Sequence, residues 1–477
     1  MFTSLVQLIV AMLYIVGLSS AASAQHSDMH MGTSDIRSLI DQSPISGLQI
    51  AVVAICLLMN VVDGMDVLVI SYAAPSLAQS WDISPQALGG VFSAGVLGMT
   101  VGAVTLAPAA DRVGRRPMIL ACIVLIAAGV LLTAVAQSIS QLVVLRFVSG
   151  MGIGAMLATV AAMVAEYAPD RSRNFFVGLV LAGYPIGATL SGMIASQIIP
   201  VYGWRTMFLV AGAISAATLP LVAWILPESV SFLAQRQPPN ALERINRILR
   251  RMALPPLARL PDKPRQQSPV GARPILSSQW RGATLKLWTA FLMSFGTLYF
   301  LISWIPKLAS AAGLSMELAI MAGTVFNLGA IFGIVSQGTL ATRYDLRTVI
   351  AGFLFATSLL MLVFGWFTGS GAALVLFGLI GFGIQGGFTG LYTVAARLYP
   401  TSLRSSGIGW GIGAGRVGAV LGPAAGGVLI GLGMGMTANF QVFAIPLVIA
   451  AVATLAISRD SIVSPQKDSG TVGEDAT

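Results

Sequence analysis

Hydrophobic residues recur along the chain in long runs that short polar connections separate. An apolar run of about 20 residues is long enough to cross a bilayer as a helix. Such runs occur in two sets of six, so the pattern predicts twelve membrane-spanning helices, which we number span 1 to span 12. The first set is predicted at 50–74, 87–110, 118–137, 140–164, 174–198 and 206–226. The second set is predicted at 284–305, 316–340, 348–368, 372–397, 405–432 and 437–458.

The six-plus-six pattern indicates an all-α membrane protein built from two pseudo-symmetric six-helix bundles. The predicted domains are an N-terminal segment (1–49), a first bundle (50–226), a cytoplasmic central loop (227–283), a second bundle (284–458) and a cytoplasmic tail (459–477). Within the loop, residues 240–252 place apolar residues on one helical face and four arginines on the others. This pattern predicts a basic helix on the inner membrane surface, with a regulatory site as the alternative.

The composition excludes most soluble functions. Only 9% of the residues are charged and 56% are hydrophobic, whereas soluble domains carry about 25% charged residues. A soluble enzyme, a nucleic-acid binder and a disordered chain are therefore not expected. Both cysteines lie inside apolar runs, and the two histidines, His26 and His30, precede the main body. The sequence thus predicts no metal site and no cofactor.

The distribution of Lys and Arg predicts an orientation in the membrane. Of the 27 basic residues, Arg146 and Arg416 lie within spans, and two others, Arg205 and Lys307, fall on the side opposite the central loop. All the others lie in or beside the central loop, the even-numbered connections and the terminal segments. By the positive-inside rule, both ends of the twelve-span body are predicted to be cytoplasmic. The net charge of +9 then reflects topology, and nucleic-acid binding loses its support.

The segment 1–25 resembles a secretory signal, because an apolar run ends in Ala22-Ser23-Ala24. Cleavage there would leave the new N-terminus outside, against the predicted orientation. Two interpretations remain: translation starts at Met29 or Met31, or the stretch 4–22 forms an extra span. We favour the later start.

A short charged string occurs twice in the chain. After span 2 it reads Asp111-Arg112-Val113-Gly114-Arg115-Arg116, and after span 8 it reads Thr342-Arg343-Tyr344-Asp345-Leu346-Arg347. Aligning Asp111 with Thr342 also places span 1 over span 7, and we call this register the repeat alignment. The first copy resembles the hallmark loop of the major facilitator superfamily, and the second is a degraded copy. The charged groups of such a loop can pair in one conformation and separate in another.

Three further strings resemble the aromatic acid:proton symporter family of that superfamily. Span 1 carries Asp63-Gly64-Met65-Asp66, and the end of span 4 carries Glu166-Tyr167-Ala168-Pro169. The approach to span 11 carries Tyr399-Pro400-Thr401-Ser402-Leu403-Arg404. The resemblance implies proton-coupled uptake of a small aromatic carboxylate by alternating access, in a bacterial inner membrane and without an enzymatic step. A conformational gate is predicted at the charged strings: Asp111, Arg112, Gly114, Arg115, Arg116, Glu166, Arg343 and Arg404.

Four ionisable residues lie well inside spans: Asp63, Asp66, Arg146 and Arg416. Each costs about 3 kcal/mol at mid-membrane on insertion scales, so a structural role for all four is disfavoured. The two acids share one helix face, and neighbouring carboxylates in a low dielectric disfavour ionisation of both. We therefore predict that they couple transport to protons, a role that the resemblance also implies.

An aromatic carboxylate requires a cation and an apolar slot. Arg416 is the preferred partner because a guanidinium matches a carboxylate, and Arg146 is the second candidate. In the superfamily, an arginine placed like Arg146 is tied to proton transfer, and either arginine could instead pair with the span 1 acids. The aromatic residues predicted to stack on a ring are Tyr299 and Trp410, and additionally Trp304, Tyr184, Phe388 and Tyr392.

Two rival functions are weighed against symport. Drug:proton antiporters carry a Gly-Pro string in helix 5, but here that string lies in span 11, at 418–427. A non-transporting sensor of aromatic acids would need a signalling domain, and the tail after Asp460 is too short to form one. We therefore expect a symporter that functions as a monomer, with protons, an aromatic acid and the lipid bilayer as its partners.

Overall fold

The computed structural model describes residues 33–261, 273–366 and 370–458. The signal-like run, both histidines and the C-terminal tail from 459 lie outside these residues. All regular secondary structure in the described ranges is helical, which confirms the all-α prediction. Spans 1 to 4 are the helices Gly47–Trp81, Pro85–Val113, Arg115–Ala134 and Ile139–Tyr167. Spans 7 to 12 are Arg281–Ala311, Met316–Leu340, Leu346–Val363, Ser370–Leu398, Thr401–Gly431 and Met436–Leu455.

Spans 5 and 6 follow each other without a loop. Asp170–Leu181 and Gly183–Ile225 form one apolar stretch of 56 residues. At about 1.5 Å per residue this stretch is more than twice as long as the hydrocarbon core is thick. The helix breaks at Gly203, whose φ of 80° and ψ of 168° are not helical. The break makes two spans of this stretch, so the 11 long apolar helices of the described chain provide the twelve predicted spans.

Glycines set the closest helix crossings, and the crossings repeat between the two halves. A Cβ added at Gly98 in span 2 would lie 2.1 Å from the Phe147 carbonyl oxygen in span 4. A Cβ added at Gly329 in span 8 would lie 2.0 Å from the Gly378 carbonyl oxygen in span 10. The repeat alignment superimposes both members of these pairs. Two further pairs of crossings are equivalent in this alignment. The contact of Gly102 with Met151 corresponds to the contact of Gly333 with Phe382. The contact of Gly187 with Val61 corresponds to the contact of Gly418 with Leu292.

The chain forms two compact units. One comprises the described part of Met1–Gln267 together with Ser303–Asn327. The other comprises the described parts of Ser268–Ile302 and of Leu328–Thr477. The domain bounds expected from the sequence stay a prediction.

Three short helices accompany the spans at the end that carries the Asp111 string, which we call the basic end. They are Thr33–Gln42, Val230–Arg236 and Ala241–Arg251. Ala241–Arg251 is the predicted amphipathic helix, but its apolar residues Ile245 and Leu249 are fully buried in the protein. That apolar side therefore packs against the protein, and contact of this helix with the inner membrane surface stays a prediction.

Candidate functional site

The two acids of span 1 are enclosed in the first unit. Asp63 is 3% exposed and Asp66 is fully buried. Ser215 in span 6 donates a hydrogen bond of 2.6 Å to Asp66 Oδ2. Asp63 Oδ2 and Asp66 Oδ1 are buried and accept no hydrogen bond from the described residues. Each carboxyl group thus has one buried oxygen that lacks a hydrogen-bond partner within the described chain.

Gly64, between these acids, determines how closely span 1 approaches span 5. A Cβ at this position would lie 2.1 Å from the Tyr184 carbonyl oxygen. Only a residue without a side chain permits this approach. The Asp-Gly-Met-Asp string therefore joins two buried acids to a tight helix crossing, and Tyr184 contributes its backbone to that crossing.

Arg146 lies beside the acid pair. Its Nη1 donates to the Asp66 backbone carbonyl at 3.4 Å, and its Nη2 donates to Thr133 Oγ1 at 3.3 Å. The guanidinium carbon is 5.4 Å from the centroid of the Phe208 ring. Arg146 is 4% exposed, and none of the ion pairs among the described residues joins it to a carboxylate. The structure thus places one buried cation with two buried acids.

Sequence reasoning did not select Ser215, Thr133 or Phe208. Ser215 and Thr133 are isolated small polar residues within apolar spans, a signal too common to identify a site. Each also bonds to its own helix, Ser215 to Ala211 and Thr133 to Gly129. Such back-bonding is an ordinary use of a hydroxyl in a membrane helix.

Arg416 in span 11 lies among aromatic rings of the second unit. Its Nη1 donates to the Tyr299 hydroxyl at 3.3 Å, and its guanidinium carbon is 5.9 Å from the Phe295 centroid. Phe295 stacks on Tyr299 at 6.0 Å and meets Phe388 edge-on at 4.6 Å. Tyr392 meets Phe388 edge-on at 5.5 Å. We call Phe295, Tyr299, Phe388 and Tyr392 the aromatic cluster, and it brings a cation together with several rings.

Two predicted stacking residues have different neighbours. Trp410 is 48% exposed and stacks on Trp288 with centroids 6.3 Å apart. Trp304 is fully buried and meets Phe92 edge-on at 5.2 Å. Tyr299, Phe388 and Tyr392 therefore share the surroundings of Arg416, whereas Trp304 packs within the first unit.

Part of the predicted gate forms a network of charges at the basic end. Arg115 pairs with Asp111 through atoms 2.8 Å apart and with Glu166 through atoms 3.1 Å apart. The Ser229 hydroxyl donates to the other oxygen of Glu166. Arg115 therefore ties the loop after span 2 to the end of span 4, as pairing of the charged strings requires.

Glu228, which sequence reasoning did not select, closes this network. Its Oε1 accepts the backbone N–H groups of Arg115, Arg116 and Ser229 at 2.9, 3.2 and 2.8 Å. A carboxylate at the start of span 3 satisfies free amide groups and complements the helix dipole. Gly114 has a φ of +114°, and a Cβ there would lie 2.4 Å from Glu228 Oε2. The signal in the sequence that could have identified Glu228 is its position as an isolated acid just before an arginine-rich stretch.

The other predicted gate residues are not joined to this network. Arg112, Arg343 and Arg404 are exposed, and no ion pair among the described residues includes them. In the second copy of the string, Arg347 makes the contacts instead. It pairs with Asp345 through atoms 3.4 Å apart and donates to the Leu455 carbonyl at 3.4 Å. Arg116 donates in the same way to the Ala223 carbonyl at the end of span 6.

The helix Thr33–Gln42 attaches to the same end of span 4. Arg37 Nη2 donates to the Ala168 carbonyl at 2.9 Å and pairs with Asp170 through atoms 2.6 Å apart. Its Nη1 donates to the carbonyls of Ala165 and Glu166. An arginine at a helix C-terminus satisfies its free carbonyls. Arg37 thus holds the segment that carries Glu166.

Ionisable side chains buried among twelve apolar helices, in a fold with an internal repeat, are properties of a secondary transporter. The family model described as Major Facilitator Superfamily matches residues 56–389 and 321–473. The chain belongs to this superfamily, and it is a transporter and not an enzyme. The kinship with the aromatic acid:proton symporter family expected from the sequence is confirmed by its relatives.

The relatives match over nearly their whole length. The gallate transporter of Pseudomonas putida is 33% identical over 88% of this chain and 94% of its own length. The 4-hydroxybenzoate transporter of Pseudomonas aeruginosa is 34% identical over 90% of this chain and 96% of its own. Among solved structures, a D-xylose-proton symporter matches with a TM-score of 0.66 at 16% identity, over 86% of this chain and 98% of that one. This last similarity bears on the fold alone.

Proposed function

We propose that this protein imports a small aromatic carboxylate together with protons by alternating access. The observation that carries the proposal is the position of Arg416 among the rings of the aromatic cluster. A guanidinium binds a carboxylate through paired hydrogen bonds, and aromatic side chains stack on a substrate ring. Gallate and 4-hydroxybenzoate, for which two relatives are named, both combine a ring with a carboxylate.

Asp63 and Asp66 are the proposed proton carriers. Each keeps a buried oxygen without a hydrogen bond in the described chain, and an uncompensated carboxylate in the membrane interior costs several kcal/mol. A proton removes that charge and makes the neutral acid a hydrogen-bond donor. Arg146 interacts electrostatically with Asp66, so it is placed to stabilise the carboxylate once the proton has left.

The charge network around Arg115 is the proposed gate. Opening the basic end would separate Asp111, Arg115 and Glu166, and closing it would restore their ion pairs. We further propose that the protein lies in a bacterial inner membrane with both ends of its twelve-span body in the cytoplasm, because most of its basic residues fall in the connections on one predicted side. It would act as a monomer and need no cofactor, and the proton gradient would supply the driving force.

The test is uptake of labelled 4-hydroxybenzoate into energised membrane vesicles that contain the protein. We expect accumulation that a protonophore abolishes. Benzoate, gentisate, protocatechuate and phenylpropionate derivatives, added as unlabelled competitors, would rank the substrates. Uptake that does not depend on the proton gradient would contradict symport. Failure of every aromatic acid to compete with the label would contradict the proposed substrate class. Proton-driven efflux of the label would favour an antiporter.

A further inference from the structure

A small basic cavity lies in the first unit at the basic end, beside the end of span 6. Its volume is about 180 Å³, less than the 300 Å³ or so at which sites for drug-sized ligands begin. We call it the arginine cavity. Its polar and aromatic lining consists of Arg116, Arg244, Arg247, Arg251, Glu228 and Trp224.

Two of the lining charges are already compensated. Arg247 pairs with Glu243 through atoms 2.9 Å apart. Glu228 accepts three backbone N–H groups. Neither Arg244 nor Arg251 has an ion pair within the described residues, so the cavity carries excess positive charge.

Arg116, which lines the cavity, is incompletely compensated by the described residues. Its Nη2 donates to the Ala223 carbonyl, but its Nε is buried and has no acceptor among the described residues. A buried donor left unpaired costs about 1–3 kcal/mol. An anion in the cavity would not touch this enclosed Nε, but it would stabilise the charge of the Arg116 guanidinium together with that of the neighbouring arginines.

Trp224 indicates where such an anion would come from. Its side chain is 87% exposed, and it stands one residue before Ile225, where the apolar helix of span 6 ends. Tryptophan at the end of a membrane span is typical of the level of the lipid headgroups. The apolar side of the helix Ala241–Arg251 is buried, which holds its arginines at that level.

We propose that the arginine cavity binds the phosphate of an anionic membrane lipid such as phosphatidylglycerol, with Trp224 packed beside the glycerol and upper acyl chain. Basic pockets at the ends of membrane helices suit such headgroups. Inorganic phosphate also offers negatively charged oxygens, but it gives the exposed indole of Trp224 nothing to pack against. The proposal is independent of the transported substrate.

Native mass spectrometry of the full-length protein in detergent tests the proposal. Phosphatidylglycerol is titrated in one arm, phosphatidylcholine in a second and inorganic phosphate in a third. Arg251→Gln and Arg244→Gln should each weaken phosphatidylglycerol binding about fivefold, which is the effect of one arginine near an anionic headgroup. Arg250→Gln is the matched control, because it removes the same charge from the same helix but does not line the cavity. We expect it to change binding less than about twofold.

Three results would overturn the proposal. Equal binding of phosphatidylcholine would show that negative charge is not recognised. Inorganic phosphate that displaces the lipid, with Trp224→Ala binding as wild type, would identify a free-anion site. Equal losses in Arg250→Gln and Arg251→Gln would show that the cavity does not locate the lipid. Arg251→Lys, which keeps the charge, should keep most of the binding and thus separates charge loss from misfolding.

Discussion

The two halves of this transporter have kept the same helix crossings but carry different chemistry. In the repeat alignment, Gly98 and Gly329 are equivalent and make the same approach to a neighbouring carbonyl. Asp66, in contrast, corresponds to Thr297, whose hydroxyl donates to the Phe443 carbonyl at 3.1 Å. Where two helix backbones come this close, only glycine fits. The glycine positions are therefore the same in both halves, whereas the polar positions differ.

The charged groups that we assign to function fall in different halves. Asp63 corresponds to Ser294, and Arg146 corresponds to Phe377. Conversely, Arg416 corresponds to Pro185 in span 5. We therefore propose that the first half handles protons and the second half handles the carboxylate. This division predicts that substitutions at equivalent positions of the two halves will have unequal effects on transport when one of the positions carries a proton-binding or substrate-binding group.

The largest effect is expected at Arg416. Arg416→Gln removes the cation beside the aromatic cluster, and loss of one charged partner of a buried pair costs about 2–5 kcal/mol. We expect uptake, measured as kcat/KM for the labelled acid, to fall on the order of 100-fold. Arg416→Lys should recover part of it, since it keeps the charge and loses the planar fork. Arg281→Gln, at an exposed arginine outside the proposed sites, is the control, and an Arg416→Gln protein within about threefold of wild type would refute the assignment.

The second effect separates coupling from binding. Asp66→Asn cannot release a proton, so we expect it to lose accumulation driven by a proton gradient. Exchange of labelled for unlabelled substrate across the vesicle membrane should persist, because exchange needs no net proton movement. Thr297→Val at the equivalent position removes one hydrogen bond, worth about 1 kcal/mol, and should keep accumulation. Gradient-driven accumulation by Asp66→Asn would exclude its coupling role.

The gate network should give a smaller effect on rate. Arg115→Gln breaks its ion pairs with the exposed Asp111 and with the partly buried Glu166, and we expect the maximal uptake rate to fall about tenfold with little change in KM, a cost of about 1.4 kcal/mol. Arg347→Gln, in the second copy of the string, breaks one longer pair with Asp345, which lies only two residues away in the chain, and should cost about twofold. The comparison requires initial rates over a range of substrate concentrations. Equal losses in the two variants would mean that the gate is shared by both copies.

The smallest difference between the halves is expected at the crossings. Gly98→Ala and Gly329→Ala each place a methyl group within van der Waals overlap of a carbonyl oxygen, and overpacking of this kind costs about 1–3 kcal/mol. Thermal unfolding in detergent should show a similar decrease in Tm for both variants. Gly90→Ala and Gly338→Ala are controls on the same two helices, with nothing within 4 Å of the added Cβ. A large loss at only one crossing would contradict shared packing.

Much of the fold was predictable because membrane spans obey a simple length and polarity rule. The spans, the repeat and the superfamily followed from apolar runs and the Asp111 string. The ionisable residues inside spans were equally visible, since any charge there stands out against an apolar background. The direct succession of spans 5 and 6 was not visible, because it depends on the backbone angles of Gly203.

The partners of these residues were decided by the tertiary structure. Which hydroxyl meets Asp66, which carbonyl receives Arg146 and which rings surround Arg416 all depend on the rotation of each helix about its own axis. That rotation is set by the glycine crossings, which bring together residues far apart in the chain. The sequence alone determined which side chains the membrane makes costly. Only the packed structure decided what compensates them, because compensation requires contacts within a few ångströms.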